Sequence, residues 1–297
     1  MQRPIISILL PTRNRFDTIR RSLDSIFSQT LNDWELVISD NATDDAGKIA
    51  FLQDLAHGDP RIRLFVQDEN IGIHRNAMFC IEKSRARYLI FLTDDDWWSE
   101  AHYLESLLAQ HDGTLASVFP NLTTHNHYKN TVTECEMSPI YSNLSGCSAV
   151  CEALVRTQKG MMVLGLIDTQ VLPKGEFCSV FDNDLDFQIE ILGRLRISRK
   201  YPVRLVPSVT YNHPVHPGNH HRDFPNQKRD EDLGIVAFRM LEELRLAAAE
   251  DSSFTSALDI QKSYCIDYCR KISRRNSKLR KLVDSISVLR RFGRVRT

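Results

Sequence analysis

The 297-residue chain has little glycine, few cysteines and no long apolar segment. Its longest apolar runs, such as residues 161–167, fall well short of the ~18–20 residues that a membrane-spanning helix needs. The seven cysteines form no C-x-x-C pair, which argues against a disulfide framework and a thiolate zinc site. The N-terminus lacks the apolar segment and cleavage site of a secretory signal. We therefore expect a cytoplasmic protein with reduced thiols.

Two common nucleotide-binding signatures are also absent. The 12 glycines form neither G-x-G-x-x-G nor G-x-x-x-x-G-K-[ST], which excludes a dinucleotide fold of the usual kind and a Walker-type nucleotidase. Hydrophobic residues make up 42% and charged residues 26%, as in ordinary globular chains. The length fits either two domains or one large α/β domain.

Charge is balanced over the whole chain but not along it. The 38 Lys and Arg equal the 38 Asp and Glu, yet residues 270–296 carry a net charge of +10 and residues 1–269 carry −10. Apolar residues recur at helical spacing in segment 270–297, which predicts a basic amphipathic helix. Such a helix is typical of contact with an anionic membrane surface. Packing on the acidic body or in a homo-oligomer is the alternative, and we expect no nucleic-acid partner.

Apolar patterning in the first 112 residues indicates repeated strand and helix units. It predicts strands at 5–10, 34–39, 62–66 and 88–93, and helices at 18–29, 49–55 and 73–84. This alternation is typical of an α/β fold with a mainly parallel sheet. Further along, the pattern predicts helices at 148–157 and 182–192, strands at 161–167 and 203–211, a loop at 212–222, and helix from about 230.

Polar clusters follow the predicted strands, at the edge of the sheet where ligands of open α/β folds gather. The most acidic of them is Asp94-Asp95-Asp96, where strand alternation places Asp94 and Asp96 on the same side. Carboxylates suit a hard divalent cation that also binds phosphate oxygens. A solvated turn is the alternative, but three like charges at the end of an apolar strand repel one another unless a cation is present.

Five segments share their order and spacing with one known family. They are SILLPTRN at 7–14, SIFSQT at 25–30, WELVISD at 34–40, Asn-Ile-Gly with Arg-Asn within 70–76, and LIFLTDDD at 89–96. These motifs resemble those of family 2 glycosyltransferases of the GT-A fold over about residues 5–220. The resemblance is nearest to enzymes of bacterial surface polysaccharides, including the abequosyltransferase-like group.

The resemblance implies a three-layer α/β sandwich around a mixed, mainly parallel central sheet, followed by a C-terminal helical extension. Residues 1–225 would form the GT-A domain, with a nucleotide-sugar-binding half at 1–112 and an acceptor and catalytic half at 113–225. Residues 226–297 would form the helical extension that ends in the basic tail.

The resemblance also implies a donor site on the ends of the first strands. The base pocket would be lined by Pro11, Thr12 and Arg13, Asp40 would hold the base or ribose, and Arg75 would lie near the diphosphate. The donor-binding residues are then Pro11, Thr12, Arg13, Asp40, Asn70, Gly72, Arg75, Asp94 and Asp95. The sequence departs from the family's pattern at the end of the second strand. The family usually has Asp-Asp-Gly-Ser there, whereas this chain has Ser-Asp-Asn-Ala at 39–42.

A divalent metal and a catalytic base complete the implied site. Mn²⁺ or Mg²⁺ would be held by the D-x-D motif through Asp94 and Asp96, with Asp96 the first choice as direct ligand. His216 would be a further metal ligand, with His213 as the alternative. The catalytic base would be Asp184, with Asp182 as the alternative.

The implied activity is a metal-dependent, inverting sugar transfer at the inner face of the cell membrane. A nucleotide-diphosphate sugar, with a UDP-sugar favoured, would give its sugar to a hydroxyl of a glycan or lipid-linked glycan in cell-surface polysaccharide synthesis. A nucleotidyltransferase that makes the nucleotide sugar is one alternative, although no Gly-rich loop follows the first strand. A non-catalytic glycan-binding or scaffold protein with this fold is the other.

Overall fold

Strands and helices alternate through the first part of the chain. The computed structural model describes residues 3–135, 146–157, 165–179, 189–216 and 226–273. Its first elements are β1 (Ile6–Thr12), α1 (Phe16–Phe27), β2 (Trp34–Asp40), α2 (Ala46–Gly58), β3 (Ile62–Val66), α3 (Ile73–Lys83), β4 (Tyr88–Phe91), β5 (Trp97–Trp98) and α4 (Tyr103–Leu108). The predicted order of strands and helices in residues 1–112 is therefore confirmed.

The second part of the chain returns to the same sheet and ends in helices. Its elements are β6 (Ser117–Asn126), β7 (Thr131–Cys135), α5 (Cys147–Thr157), β8 (Leu166–Asp168), α6 (Lys174–Ser179), α7 (Ile189–Ser198), β9 (Val203–Val215), α8 (Asn226–Glu250), a short 3-10 turn (Ser252–Phe254) and α9 (Thr255–Ser273).

All described strands belong to one mixed sheet. Its order is β3-β2-β1-β4-β8-β6-β9-β5, with β7 paired to β6. The strands β3, β2, β1 and β4 run parallel to one another, as do β6 and β9, whereas β5, β7 and β8 are antiparallel to their partners. The carboxyl ends of β1, β2, β3 and β4 therefore meet at one edge of the sheet.

An irregularity interrupts the pairing of β6 with β9. Pro120 pairs with Val206, but the next residue of β6, Asn121, pairs with Thr210. Residues 207–209 of β9 therefore bulge out of the ladder, and the later part of β9 resumes the pairing in a new register.

Helices cover both faces of the sheet. Ile8 of β1 belongs to a large core that also contains residues of α1 and α2, whereas the adjacent Leu9 belongs to a second core with residues of α3 and α6. Because both faces are buried, the parallel strands are nearly continuous apolar runs. The three-layer α/β sandwich predicted from the sequence is confirmed.

The C-terminal helices share the large core. Val236, Met240 and Leu244 of α8 belong to the same apolar cluster as Ile8 of β1, and α8 and α9 pack against α7 and α5. The helical part of the predicted extension is thus joined to the sheet domain by a continuous core. Within the described residues, no helix combines the length and apolarity needed to cross a membrane. Most of the basic tail, residues 274–297, lies outside the described residues.

The prediction of a loop from residue 212 is wrong for its first residues. Strand β9 continues to Val215, because residues 210–215 pair with 121–126 of β6. Histidine and proline in this segment indicate a loop, but Pro214 lies beyond the two residues of β9 that pair with β5, near the end of the strand, where proline is better tolerated than in a central position. Parts of three predicted elements lie outside the described residues: 161–164 of the strand, 182–188 of the helix and 217–222 of the loop.

Candidate active site

The ends of β1 and β4 are joined through the first residue of the acidic triplet. Thr12 Oγ1 donates a hydrogen bond of 2.7 Å to Asp94 Oδ2, and the Arg13 amide donates to the same oxygen at 3.4 Å. Burial, followed by repulsion from Asp95, raises the pKa of Asp94 to about 7 despite these bonds. Burial therefore disfavours the ionised form of Asp94 more than these hydrogen bonds favour it.

Asp96 faces the end of β9. Tyr211 donates a hydrogen bond of 2.6 Å to Asp96 Oδ2, the Thr93 hydroxyl donates to the same oxygen, and His213 Nδ1 lies 2.9 Å from Oδ1. Tyr211 and His213 share a side of β9 because they are two residues apart. Burial, then the charge of Asp96, raises the pKa of Tyr211 well above its usual value, which keeps the phenol protonated as a donor.

Asp95 contacts a second histidine and an arginine. His216 Nε2 lies 3.2 Å from Asp95 Oδ2, and Arg21 Nη2 donates to the Asp95 carbonyl oxygen at 3.0 Å. Burial, then the charge of Asp96, raises the pKa of Asp95. The Arg21 guanidinium also lies 3.5 Å from the centre of the Trp97 ring, in a cation–π contact that anchors α1 to β5.

The chemistry of this cluster fits a hard divalent cation. Three buried carboxylates, the ligand type that Mn²⁺ and Mg²⁺ prefer, lie beside two imidazoles. As they are placed, no three His, Cys, Asp or Glu side chains of the described residues form a set that could hold a metal ion. The two histidines instead contact the carboxylates directly. A bound cation would favour the ionised forms of Asp94 and Asp95, which burial disfavours.

Asp40 lies beside the end of β1, on the side of the sheet covered by α1 and α2. It pairs in register with Thr12 and accepts hydrogen bonds from the Thr43 amide at 2.8 Å and from its hydroxyl at 2.5 Å. Asp40 is only 1% exposed. It lines a small pocket together with Thr12, Arg15, Phe16, Ile19, Thr43, Lys48, Phe51 and Leu52.

The loop after β1 contacts the loop after β2. Arg13 Nη2 lies 3.5 Å from Asp44 Oδ2, and Asn14 exchanges hydrogen bonds with Asp44 through its side chain. Pro11 pairs in register with Ser39 one step earlier in the strands. The predicted donor residues of β1 and β2 are thus adjacent.

The remaining predicted donor residues lie at the start of α3. Asn70 and Gly72 precede the helix, and Arg75 lies in its first turn. The Arg75 side chain is exposed and makes no hydrogen bond or ion pair with other described residues. Asp184, predicted as the catalytic base, and its alternative Asp182 lie outside the described residues.

The structure adds site residues that sequence reasoning missed. Tyr211 contacts Asp96, Arg21 contacts Asp95, and Asn41 joins the loops after β2 and β3. Extending the predicted strand at 203–211 as far as His213 would have placed Tyr211 and His213 on one side. For Arg21 no sequence signal exists, because a helical arginine is ordinarily solvated.

Ala42 adopts a backbone conformation that favours glycine. Its φ is +55°, in the left-handed region where a Cβ atom is strained. We expect Ala42→Gly to raise the free energy of unfolding by about 0.5–1 kcal/mol, because relief of strain exceeds the entropy that glycine adds to the unfolded chain. Urea unfolding measures this change. Ala77→Gly within α3 is the control and should destabilise by about 1 kcal/mol; a loss in both variants contradicts the prediction.

Solved structures share this architecture. S. aureus TarS 1–349 in complex with UDP-GlcNAc superposes with a TM-score of 0.64 at 13% identity, covering 93% of this chain and 82% of the TarS 1–349 chain. The Pyrobaculum calidifontis mannosyltransferase PcManGT, solved with GDP-Man and Mn²⁺, superposes with a TM-score of 0.57 at 15% identity, covering 97% and 81%. The fold is the GT-A fold of glycosyltransferases.

Part of the sequence matches a family model. Residues 7–146 match the model described as glycosyl transferase family 2. TuaG of Bacillus subtilis, named for teichuronic acid biosynthesis, is 30% identical over 154 residues, which are 45% of this chain and 60% of TuaG. The Escherichia coli glucosyltransferase WfgD is 29% identical over 94 residues, 32% of this chain and 36% of WfgD. The chain thus spans less than two thirds of either relative.

Proposed function

We propose that this protein transfers a sugar from a UDP-sugar to a hydroxyl group of a glycan or lipid-linked glycan in cell-surface polysaccharide synthesis. The observation that carries the proposal is the buried Asp94–Asp96 cluster where β1, β4 and β9 converge, within the residues that match the family 2 model. Relatives support the class of product, since TuaG is named for teichuronic acid biosynthesis and WfgD for a diphosphoundecaprenol substrate.

The donor nucleotide would lie along the carboxyl ends of β1, β2 and β3. In this proposal Asp40 and the ends of β1 hold the base and ribose, and Arg75 meets the diphosphate. Asp40 pairs in register with Thr12, and the Thr12 hydroxyl donates a hydrogen bond to Asp94. Thr12 therefore connects the proposed base and ribose site at Asp40 to the acidic triplet. The UDP-sugar complex of TarS and the UDP-Glc in the name of WfgD favour uridine as the base.

A Mn²⁺ or Mg²⁺ ion would be held by Asp96, with Asp94 beside it and a histidine. The contact of His213 with Asp96 favours His213 as this ligand, whereas His216, the first choice from sequence, contacts Asp95. A bound ion neutralises the charge of a departing diphosphate. Mn²⁺ in the PcManGT structure supports this part of the proposal.

Acceptor activation is assigned to Asp184, with Asp182 as the alternative, and transfer inverts the anomeric carbon. A base at this position must remain unprotonated and reach the acceptor hydroxyl. For a lipid-linked acceptor, the basic segment 270–297 would bring the enzyme to the inner face of the membrane. Sedimentation with phosphatidylglycerol vesicles tests this, because removal of residues 274–297 should abolish binding.

Thermal unfolding with nucleoside diphosphates tests the donor site. UDP, GDP, dTDP, CDP and ADP are each added with and without Mn²⁺. At about 100 times its dissociation constant a ligand stabilises the native state by about 2.7 kcal/mol, which raises the midpoint by roughly 5 °C. We expect this shift with UDP plus Mn²⁺ and a smaller shift without the metal.

Two outcomes would contradict the proposal. A folded protein that responds to no diphosphate favours the scaffold alternative, since a glycosyltransferase must bind its donor. A shift with UDP but no release of UDP from UDP-Glc or UDP-GlcNAc, even with an extract of lipid-linked glycans as acceptor, indicates a binding protein that has kept the fold.

A further inference from the structure

Asn41 joins the end of β2 to the loop that precedes α3. It is buried, with 4% of its surface exposed. Its Nδ2 donates a hydrogen bond of 2.8 Å to Asn70 Oδ1, and its Oδ1 accepts one of 2.8 Å from the Ile71 amide. Asn70 Oδ1 also accepts from the Gly72 amide at 3.0 Å. The loop is therefore held by three consecutive links.

A second pair of residues attaches α3 to β2. Asn76 and Ser39 exchange hydrogen bonds, with the Ser39 hydroxyl donating at 2.7 Å and Asn76 Nδ2 donating to the Ser39 carbonyl at 2.9 Å. Strand alternation puts Ser39 and Asn41 on the side of α3 and Asp40 on the opposite side. The first turn of α3, with Arg75 between the two attachments, is thereby fixed relative to Asp40.

We propose that Asn41 is a positioning residue for donor binding. It sets the position of Arg75 relative to Asp40. It therefore also sets the distance between the residue proposed to meet the diphosphate and the residue proposed to hold the base. This inference rests on the proposed function, in which those two residues hold opposite ends of the nucleotide. It also gives a physical role to the position where the family's usual strand ending has glycine.

The direction of the hydrogen bonds makes position 41 different from position 70. The Asn41 amide must both donate and accept, whereas Asn70 Oδ1 only accepts. Asn41→Asp therefore places two acceptors against each other. If the Asn70 amide rotates to donate, its nitrogen then faces the Gly72 amide, and that link is lost instead. Asn70→Asp preserves all three links.

Paired variants test the inference. We expect Asn41→Asp to weaken UDP binding by about tenfold in calorimetry with Mn²⁺, whereas the control Asn32→Asp, at an exposed asparagine before the opposite end of β2, should remain within about twofold of the wild type. In UDP release from the UDP-sugar, Asn41→Asp should raise KM about tenfold with kcat within about threefold. Hydrogen exchange of residues 67–76 should be faster in Asn41→Asp alone. Circular dichroism confirms that both variants are folded.

The outcomes separate the inference from the proposed function. Equal UDP affinity in Asn41→Asp and the wild type overturns the positioning role, as does an equal loss in both aspartate variants. If the wild type binds no nucleoside diphosphate, the proposed function fails and the donor role fails with it. Unchanged hydrogen exchange in Asn41→Asp overturns the inference even when the wild type binds UDP.

Discussion

Asp96→Asn is expected to lower Mn²⁺-dependent release of UDP from the UDP-sugar by about 10³-fold, the effect of losing several kcal/mol of charge stabilisation. The substitution removes the negative charge but keeps an oxygen that can accept the Tyr211 hydrogen bond, so the fold of β4 against β9 should persist. The measurement is the rate of UDP release at saturating Mn²⁺, together with the UDP-induced shift of the unfolding midpoint.

A carboxylate outside the site supplies the control for this experiment. Asp54 is exposed on α2, and Asp54→Asn should leave UDP release within about twofold of the wild type, as surface substitutions usually do. If Asp96→Asn retains more than about a tenth of the wild-type rate, Asp96 is not the metal ligand, and the assignment of the acidic triplet must be abandoned.

Glu35→Ala is expected to reduce the free energy of unfolding by about 3–5 kcal/mol, the cost of breaking a buried charge pair. Glu35 is 1% exposed and accepts four hydrogen bonds. They come from the Ser7 hydroxyl at 2.6 Å, the Arg85 amide at 2.6 Å, Arg85 Nε at 2.8 Å and Arg63 Nη1 at 3.2 Å. It therefore ties β1, β2, β3 and the segment before β4 together at the edge opposite the candidate site. Urea unfolding at pH 7 measures the loss, and Ser7→Ala, which removes one donor, should cost about 1 kcal/mol.

The same residue should make stability depend on pH. Burial alone would raise the pKa of Glu35, but hydrogen bonds from Ser7 and Arg85 outweigh it and lower that pKa below its usual 4.5. Because the unfolded chain binds the proton more readily, the contribution is complete above about pH 4.5 and is lost as pH falls through the lower folded pKa. Between pH 7 and pH 3 the wild type should lose more stability than Glu35→Gln; parallel pH profiles would contradict this.

The sheet was predictable where local signals agree with tertiary structure. The strands β1 to β4 are short apolar runs between amphipathic helices, and burial on both faces produces that pattern. The end of β9 was not predictable, because its histidines and Pro214 favour a loop, while pairing with β6 determines its structure. Long-range pairing has no counterpart in local composition.

The candidate site also has one part that the sequence predicts and one part that it does not. Asp94, Asp95 and Asp96 follow from the rule that ligands bind at strand ends, and their clustering with Thr12 follows from parallel pairing of β1 and β4. The contact of Tyr211 with Asp96 depends on pairing of β9 with β5, a strand of only two residues. Two tryptophans carry too little pattern for the sequence to reveal that pairing.

The bulge at residues 207–209 reverses the alternation of side chains along β9. Residues 206 and 210 are an even number of positions apart, yet their partners 120 and 121 are neighbours in β6 and face opposite sides. Without this reversal, Asn212 rather than Tyr211 and His213 would face Asp96. The length of the bulge can therefore change while the site is maintained, provided that residues 210–215 keep their pairing with 121–126 of β6.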